Sequence, residues 1–184
     1  MTTPRPSNLR VHGGELGGRR LLTPKGVRPS QGVVKEAVFN VLAAELEGTR
    51  VIDLCAGSGA LGIEALSRGA VHATFVENDY RVIAVLKRNL ATLGLLTKAS
   101  VHQAEAARWV ELHPGEVGKA DIVFLDPPYR DPILAEVLLA LDRTAQGKVV
   151  VEWSGREKLP ELARLEVRRD KGYGATRLTI LTPR

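Results

Sequence analysis

The sequence predicts an α/β fold in which a mostly parallel sheet carries helices on both faces. Short runs of β-branched and apolar residues alternate with longer segments of helical periodicity from residue 47 onward. A glycine-rich turn joins the first strong strand to a helix, and the last segments are typical of an antiparallel hairpin. For a chain of 184 residues, we expect one domain over residues 47–184, with an extension over residues 1–46 that packs on it.

The extension is predicted to contain a small hairpin and a helix. The glycine pairs Gly13-Gly14 and Gly17-Gly18 precede an alternating segment from Arg19 to Leu22, which is typical of a hairpin. Apolar residues then follow helical spacing from Gln31 to Leu46.

The remaining elements are predicted to alternate until the final hairpin. We expect seven strands, at Arg50–Leu54, His72–Glu77, around Val101, Asp121–Leu125, Lys148–Trp153, Ala163–Arg169 and Ala175–Leu181. We expect helices at Ala60–Ser67, Tyr80–Leu93, Ala104–Leu112 and Pro132–Asp142. A terminal hairpin on such a sheet is typical of the methyltransferase variant of the Rossmann architecture.

Composition places the chain among soluble, reducing-compartment proteins. No apolar run approaches the roughly 20 residues that a membrane span needs, and no signal-peptide pattern is visible. Cys55 is the only cysteine, so an intrachain disulfide is impossible and a cytoplasmic location is expected. Its apolar strand end indicates a small buried hydrophobe rather than a nucleophile. The four histidines show no ligand spacing, so we expect no metal, and nothing indicates more than a monomer.

The net charge of +5 is concentrated at the start of the chain. Residues 1–36 contain seven basic and two acidic residues, whereas the remaining residues are balanced. Such a segment suits a phosphate backbone, although a solvated basic segment without a partner is the alternative. The residues that we predict to contact RNA are Arg10, Arg19, Arg20, Lys25, Arg28 and Lys35.

The tetrapeptide Asp126-Pro127-Pro128-Tyr129 follows the apolar run Asp121–Leu125. The prolines end a buried strand abruptly, which leaves a carboxylate and an aromatic ring at its carboxyl end, the usual ligand edge of an α/β sheet. This combination suits a flat, weakly nucleophilic amine on a nucleobase or an amide. We therefore predict all four residues to be catalytic. A tight turn that happens to carry a tyrosine is the alternative.

The segment from Asp53 to Gly62, DLCAGSGALG, predicts a cofactor loop. Its glycines allow positive φ and close ligand approach, and their spacing also fits a dinucleotide site. Asp53 favours S-adenosylmethionine, because a carboxylate suits a cationic amino acid better than a pyrophosphate. The predicted cofactor contacts in and near this loop are Asp53, Ala56, Gly57, Ser58 and Gly59, joined by Asp126.

Acidic residues after the next two strands are assigned to the same site. Glu77 lies twenty residues after Gly57, where a carboxylate can accept both ribose hydroxyls. Asn78 or Asp79 is expected to cap the following helix, and Asn78 is also assigned to the cofactor. Glu105, with Ala106, is placed to meet the adenine amino group. A solvated carboxylate in a first helical turn is the alternative for Glu105.

Several motifs together carry a family resemblance over nearly the whole chain. They are Arg10-Val-His-Gly13-Gly14, Gly18-Arg19, Arg28-Pro29-Ser30, Lys35-Glu36-Ala-Val-Phe39-Asn40, the run from Asp53 to Arg68, Asp126–Tyr129 and Tyr173-Gly174. With them the chain resembles the bacterial 16S ribosomal RNA guanine-N2 methyltransferases of the RsmD type. Two departures, Gly17 and Gly32-Val33, stand where that family usually has charged residues, and they affect substrate docking more than chemistry.

The resemblance implies a class I S-adenosylmethionine-dependent methyltransferase. Its reaction would be transfer to the exocyclic N2 amine of guanine 966 in 16S ribosomal RNA, within the small subunit or an assembly intermediate. Asp126 and the Pro127 carbonyl would accept the two amine hydrogens, and Tyr129 would stack on a flipped base, a contact worth about 1–3 kcal/mol.

Three other functions stay open from the residues alone. The first is another amino-methyltransferase, acting on adenine N6 in DNA or on a glutamine amide, although the chain has little length for a separate DNA-reading domain. The second is a nicotinamide-dependent oxidoreductase that uses the glycine loop. The third is a non-catalytic RNA-binding assembly protein.

Overall fold

The computed structural model describes residues 5–24, 32–128 and 132–184. Within these residues the strands are β1 (Arg5–Arg10), β2 (Arg20–Thr23), β3 (Arg50–Leu54), β4 (His72–Glu77), β5 (Ala99–Gln103), β6 (Ile122–Leu125), β7 (Lys148–Ser154), β8 (Leu165–Tyr173) and β9 (Thr176–Pro183). The α-helices are α1 (Gly32–Leu42), α2 (Ala60–Ser67), α3 (Tyr80–Thr92), α4 (Ala106–Leu112), α5 (Pro114–Val117) and α6 (Ile133–Thr144). Short 3₁₀ turns occupy Ala43–Glu45 and Leu96–Lys98.

One seven-stranded sheet forms the centre of the molecule, in the order β5-β4-β3-β6-β7-β9-β8. The first five of these strands are parallel, whereas β9 runs antiparallel to both β7 and β8. β1 and β2 form a separate antiparallel hairpin. The predicted α/β architecture, with a mostly parallel sheet and a terminal antiparallel hairpin, is confirmed.

Apolar side chains cover both faces of the sheet, because alternate residues of a strand point to opposite faces. On one face, Phe75 and Phe124 join a core cluster with residues of the β1–β2 hairpin and of helices α1, α2 and α3. On the other face, Leu54, Leu125 and Val151 pack with residues of α4 and α6. The extension therefore shares its core with the first face.

Several element bounds differ from the predictions. The helix expected to reach Leu46 ends at Leu42 and continues as a 3₁₀ turn. The helix expected from Ala104 begins at Ala106, because the Glu105 side chain caps it. The short helix α5 and the strand β1 were not predicted, since a four-residue helix and a polar, proline-containing strand carry little periodicity.

β8 is an edge strand whose side chains are mostly exposed. Its pairing with β9 shifts register between Val167 and Arg169. Exposed Arg168, Arg169 and Lys171 lie along it.

Among the described residues, no helix combines the length and the apolar character that a membrane crossing requires.

Candidate functional site

The loop between β3 and α2 takes its shape from residues with positive φ. Cys55, Gly57 and Gly59 have φ of 59°, 55° and 83°, a region that glycine enters without steric cost. A Cβ on Gly59 would lie 2.4 Å from Leu86 Cδ1, and one on Gly62 would lie 2.4 Å from Phe75 Cε1. These two glycines are therefore required by packing against the protein itself.

Gly57 is different from the other loop glycines. An ideal Cβ there meets nothing nearer than the Cys55 carbonyl at 4.0 Å. The loop therefore has open space beside Gly57, where a ligand can approach the backbone. Ser58 and Ala56 flank it and are both largely buried.

Asp53, the last but one residue of β3, is 2% exposed, and its Oδ2 accepts a hydrogen bond from the Gly62 amide at 2.9 Å. This bond holds the first turn of α2 against the strand end. Burial raises the pKa of Asp53 to about 8, opposed by the Gly62 hydrogen bond and assisted by the negative charges of Asp126 and Glu77. A cationic group at this position would favour the ionised carboxylate.

Glu77 ends β4 and closes the other side of the loop. Its Oε2 accepts a hydrogen bond from the Gly57 amide at 3.0 Å, and its Oε1 accepts bonds from the amides of Asn78 and Asp79 at 2.9 and 3.1 Å. Asp79 is the residue that caps α3, through its bond from the Arg81 amide at 2.8 Å. Asn78 therefore does not serve as the cap.

Glu105 caps α4, accepting hydrogen bonds from the amides of Ala107 and Arg108 at 3.0 and 3.2 Å. Glu105 is exposed, as in the alternative of a solvated carboxylate, but it precedes the first turn as the capping residue. Ala106, the first residue of the helix, is buried. In a contact with an adenine amine, the Glu105 oxygens would accept that hydrogen bond in addition to those from these two amides.

Three residues of the predicted tetrapeptide, Asp126, Pro127 and Pro128, follow β6 at the same sheet edge as the β3–α2 loop. Leu125 at the end of β6 pairs with Leu54 of β3 on one side and Val151 of β7 on the other, so the three strands end at one edge. Asp126 follows as a half-buried residue, Pro127 is buried and Pro128 is exposed. Tyr129 lies outside the described residues.

Glu152 on β7 is a buried acid next to the candidate site, and the sequence prediction did not include it. It is 5% exposed, and burial followed by the negative charge of Asp126 raises its pKa well above the usual range. Its Oε2 has no hydrogen-bond partner in the described part of the chain. The sequence contains a signal for this residue. Glu152 is a single acid after three valines in a buried strand, just as Asp126 follows an apolar run.

Only part of the predicted RNA-contacting set lies on the surface. Arg10, Arg19 and Arg20 are exposed, and Arg10 donates to the Gly18 carbonyl at 2.8 Å. Lys25 and Arg28, which also belong to the predicted set, lie outside the described residues.

The prediction that Lys35 contacts RNA is wrong. Its side chain is 0% exposed and its Nζ lies 3.1 Å from Glu64 Oε2 and donates to the Arg10 carbonyl at 2.9 Å. The sequence did not indicate this burial, because a basic side chain on a helix usually faces water. In the fold, the carboxylate of Glu64 on α2 is buried in the core and pairs with Lys35.

The Glu64 carboxylate binds the extension to the main domain. Its oxygens accept bonds from the amides of His12 and Gly13, both at 2.8 Å, and from Arg68 Nε at 2.8 Å. Burial raises the pKa of Glu64, but the Lys35 ammonium, the His12 amide and the Arg68 guanidinium together hold it below its usual value. Among the described residues no group of three or more His, Cys, Asp or Glu side chains is arranged to hold a metal ion.

Comparisons with known proteins found a family model and curated relatives that match this chain. The family model described as "Conserved hypothetical protein 95" matches residues 9–182. The chain is 38% identical over 185 residues to "Putative rRNA methyltransferase YlbH" of Bacillus subtilis, covering 96% of this chain and 100% of that protein. It is 39% identical over 136 residues to "Ribosomal RNA small subunit methyltransferase D" of Escherichia coli K12, covering 73% and 67% of the two chains.

The fold is also shared with solved structures. "Putative methyltransferase yhhF from Escherichia coli" superposes with a TM-score of 0.82 at 35% identity, over 95% of this chain and 97% of that one. "Putative methylase HI0767 from Haemophilus influenzae" gives a TM-score of 0.80 at 29% identity, over 95% and 98%.

Proposed function

Because this chain belongs to the conserved hypothetical protein 95 family, we propose that it is an S-adenosylmethionine-dependent ribosomal RNA methyltransferase. Its target is the exocyclic N2 amine of a guanine in 16S ribosomal RNA, guanine 966 by family resemblance, and its partner is the small subunit or an assembly intermediate. The single observation that carries the proposal is the shared strand edge, where Asp126 and Pro127 lie beside the β3–α2 loop.

The loop and its neighbours fit the methyl donor. The open space beside Gly57 admits a ligand to the backbone amides. Glu77 accepts three amide hydrogen bonds beside this space, and we assign to its carboxylate the acceptance of the ribose hydroxyls. Asp53, Ala56, Ser58, Gly59 and Asn78 complete this wall, and Glu105 with Ala106 flanks the adenine end. When bound, the donor supplies a methyl group already activated by a sulfonium.

The amine is held by Asp126 and Pro127. Guanine N2 is a poor nucleophile, because its lone pair is delocalised into the ring. Acceptance of its two hydrogens by the Asp126 carboxylate and the Pro127 carbonyl favours a pyramidal nitrogen with its lone pair aimed at the methyl carbon. Pro128 keeps the turn rigid and Tyr129 stacks on the base. The protein therefore contributes in-line placement and electrostatics.

RNA docking is assigned to the basic extension. Exposed Arg10, Arg19 and Arg20 meet phosphates, and Lys25 and Arg28 belong to the same proposed surface. Lys35 is excluded from it, because its ammonium is buried against Glu64.

The decisive experiment measures transfer of labelled methyl groups to small subunits from cells that lack the modification. Parallel arms with DNA, with protein and with NAD in place of the donor test the other functions. Mass spectrometry of digested 16S RNA should locate one N2-methylguanine. Label in DNA or protein alone would contradict the proposal.

A matched pair of variants tests the role of Asp126. We expect Asp126→Asn to lower the rate about 100-fold, while calorimetry shows unchanged binding of S-adenosylhomocysteine. Glu116→Gln, an exposed substitution in α5, is the control and should have the wild-type rate. A wild-type rate for folded Asp126→Asn would remove Asp126 from the mechanism.

A further inference from the structure

Glu152 is a buried acid at the candidate site that the steps described so far do not use. β6 and β7 pair in parallel, with Leu125 opposite Val151, so Asp126 and Glu152 are the next residues along the two neighbouring strands. The side chains of Leu125 and Val151 both join the core cluster of α4 and α6. By alternation, Asp126 and Glu152 are directed to the opposite face, the face of Phe124 and Val150.

The two carboxyl groups are close enough for the charge of one to affect the pKa of the other. The negative charge of Asp126 is one of the two causes that raise the pKa of Glu152, after burial. Neighbouring strands lie about 4.8 Å apart, a spacing comparable to the length of one hydrogen-bonding edge of a base. A base bound at Asp126 therefore presents its adjacent edge to β7.

Glu152 Oε2 also lacks a partner that its burial would require. Buried polar atoms are normally hydrogen-bonded, and an unsatisfied one is costly. No described residue donates to Oε2 or accepts from it. Because Oε2 is buried, the side chain must turn toward a bound base before that base can supply the missing partner.

We propose that the Glu152 carboxyl pairs with the N1–H and O6 edge of the target guanine and selects that base. This inference rests on the proposed function. Asp126 and Pro127 hold the N2 amine, but other substrates of amino-methyltransferases also carry an amine. Glu152 instead contacts the N1–H and O6 atoms of guanine, a pair that adenine lacks.

The neutral acid has the matching pattern of donor and acceptor. A protonated carboxyl offers one O–H donor and one carbonyl acceptor, which fit O6 and N1–H of guanine respectively. Adenine with its amine at Asp126 presents the N1 acceptor and then C2–H to the same carboxyl, so only one of the two hydrogen bonds can form. An ionised Glu152 would place a second negative charge beside Asp126 and face O6 with an acceptor.

The substitution Glu152→Gln distinguishes a neutral carboxyl that forms hydrogen bonds from an ionised carboxylate that accepts a proton. The amide of Glu152→Gln keeps one donor and one acceptor in the same positions, whereas Glu152→Leu has neither. Substrates are target-site RNAs with guanine or 2-aminopurine at the methylated position. Both carry a 2-amino group, and only guanine carries the N1–H and O6 pair.

We expect the wild type to prefer guanine over 2-aminopurine by about 10- to 100-fold in kcat/KM, the discrimination of a good bidentate pair. Glu152→Gln should keep most of that preference, and Glu152→Leu should lose it. Glu116→Gln, remote from the site, should match the wild type. Calorimetry with S-adenosylhomocysteine establishes that each variant is folded and binds the donor site.

Two outcomes would overturn the inference while leaving the proposed function intact. One is an active wild type with a Glu152→Gln variant as inactive as Glu152→Leu, since an ionised carboxylate would then be required. The other is an unchanged guanine preference in Glu152→Leu. A wild type that methylates none of the RNAs or subunits would instead defeat the proposed function itself.

Discussion

Replacing Lys35 with methionine should destabilise the protein substantially without weakening its RNA contacts. Lys35 and Glu64 are both fully buried and their charged atoms lie 3.1 Å apart. Methionine keeps the length of the apolar stem, so the substitution removes the charge and leaves little cavity. The variant therefore measures the buried ion pair rather than packing.

The magnitude follows from what Glu64 retains. Breaking a buried ion pair by removing one partner typically costs about 3–5 kcal/mol. Glu64 still accepts three hydrogen bonds at 2.8 Å, from His12 N, Gly13 N and Arg68 Nε. We therefore expect a loss of about 3 kcal/mol, at the lower end of that range. For a chain of this length, this corresponds to a decrease in Tm of about 6–12 °C.

The assay is urea unfolding followed by circular dichroism, with the m-value compared to confirm that only stability has changed. Arg19→Met is the matched control, because Arg19 is exposed on the neighbouring hairpin and its substitution should change stability by about 0.5 kcal/mol or less. The salt dependence of RNA binding, measured well below the Tm, should be the same for Lys35→Met and the wild type.

One result would refute the reasoning. If Lys35→Met unfolds at the wild-type urea concentration and its binding to RNA depends less steeply on salt, Lys35 contacts phosphate and is not the buried partner of Glu64.

Three further predictions concern the loop and the basic surface. Gly59→Ala should lower the free energy of unfolding by about 2–4 kcal/mol, because positive φ and the contact with Leu86 both oppose a Cβ; a chemical denaturation curve like that of the wild type would contradict this. Asp53 has its pKa raised from 3.8 to about 8, so its stabilising contribution is complete below about pH 4 and is lost as the pH rises through about 8. Asp53→Asn should therefore gain stability relative to the wild type between about pH 5 and 9, and an equal difference at both values would count against the buried acid. Arg19→Gln and Arg20→Gln should each reduce the salt slope of RNA binding by about one, and unchanged slopes would remove them from the RNA surface.

The fold was predictable because its elements have strong local signals. Parallel buried strands are continuous apolar runs, and those of β3, β6 and β7 are bounded by residues that stop a strand. The rule that ligands bind at the carboxyl ends of such strands predicted that Asp126 and the glycine loop share one edge of the sheet. The order of the strands was not predicted, because strand ranges alone do not determine which strands are neighbours.

The residues that the sequence misjudged or missed have neighbours that lie far away in sequence. Lys35 has the composition of a surface residue, and only the three-dimensional fold brings Glu64 to it. Glu152 was not predicted because a single acid within an apolar strand belongs to no motif. Glu105 caps the helix α4 that directly follows it, and its contact with adenine stays a prediction.

The register shift in β8 affects how the molecule meets copies of itself. An edge strand exposes backbone donors and acceptors to which another chain can add a strand. In β8 the irregular pairing between Val167 and Arg169 disturbs the straight edge, and exposed Arg168, Arg169 and Lys171 carry positive charge along it. Glu166 and Asp170 lie on the same strand, and Arg168 Nη1 is 3.4 Å from Glu166 Oε1, so a second copy would meet a dense set of charges on a distorted template. We therefore expect this strand to disfavour sheet extension between copies in concentrated protein.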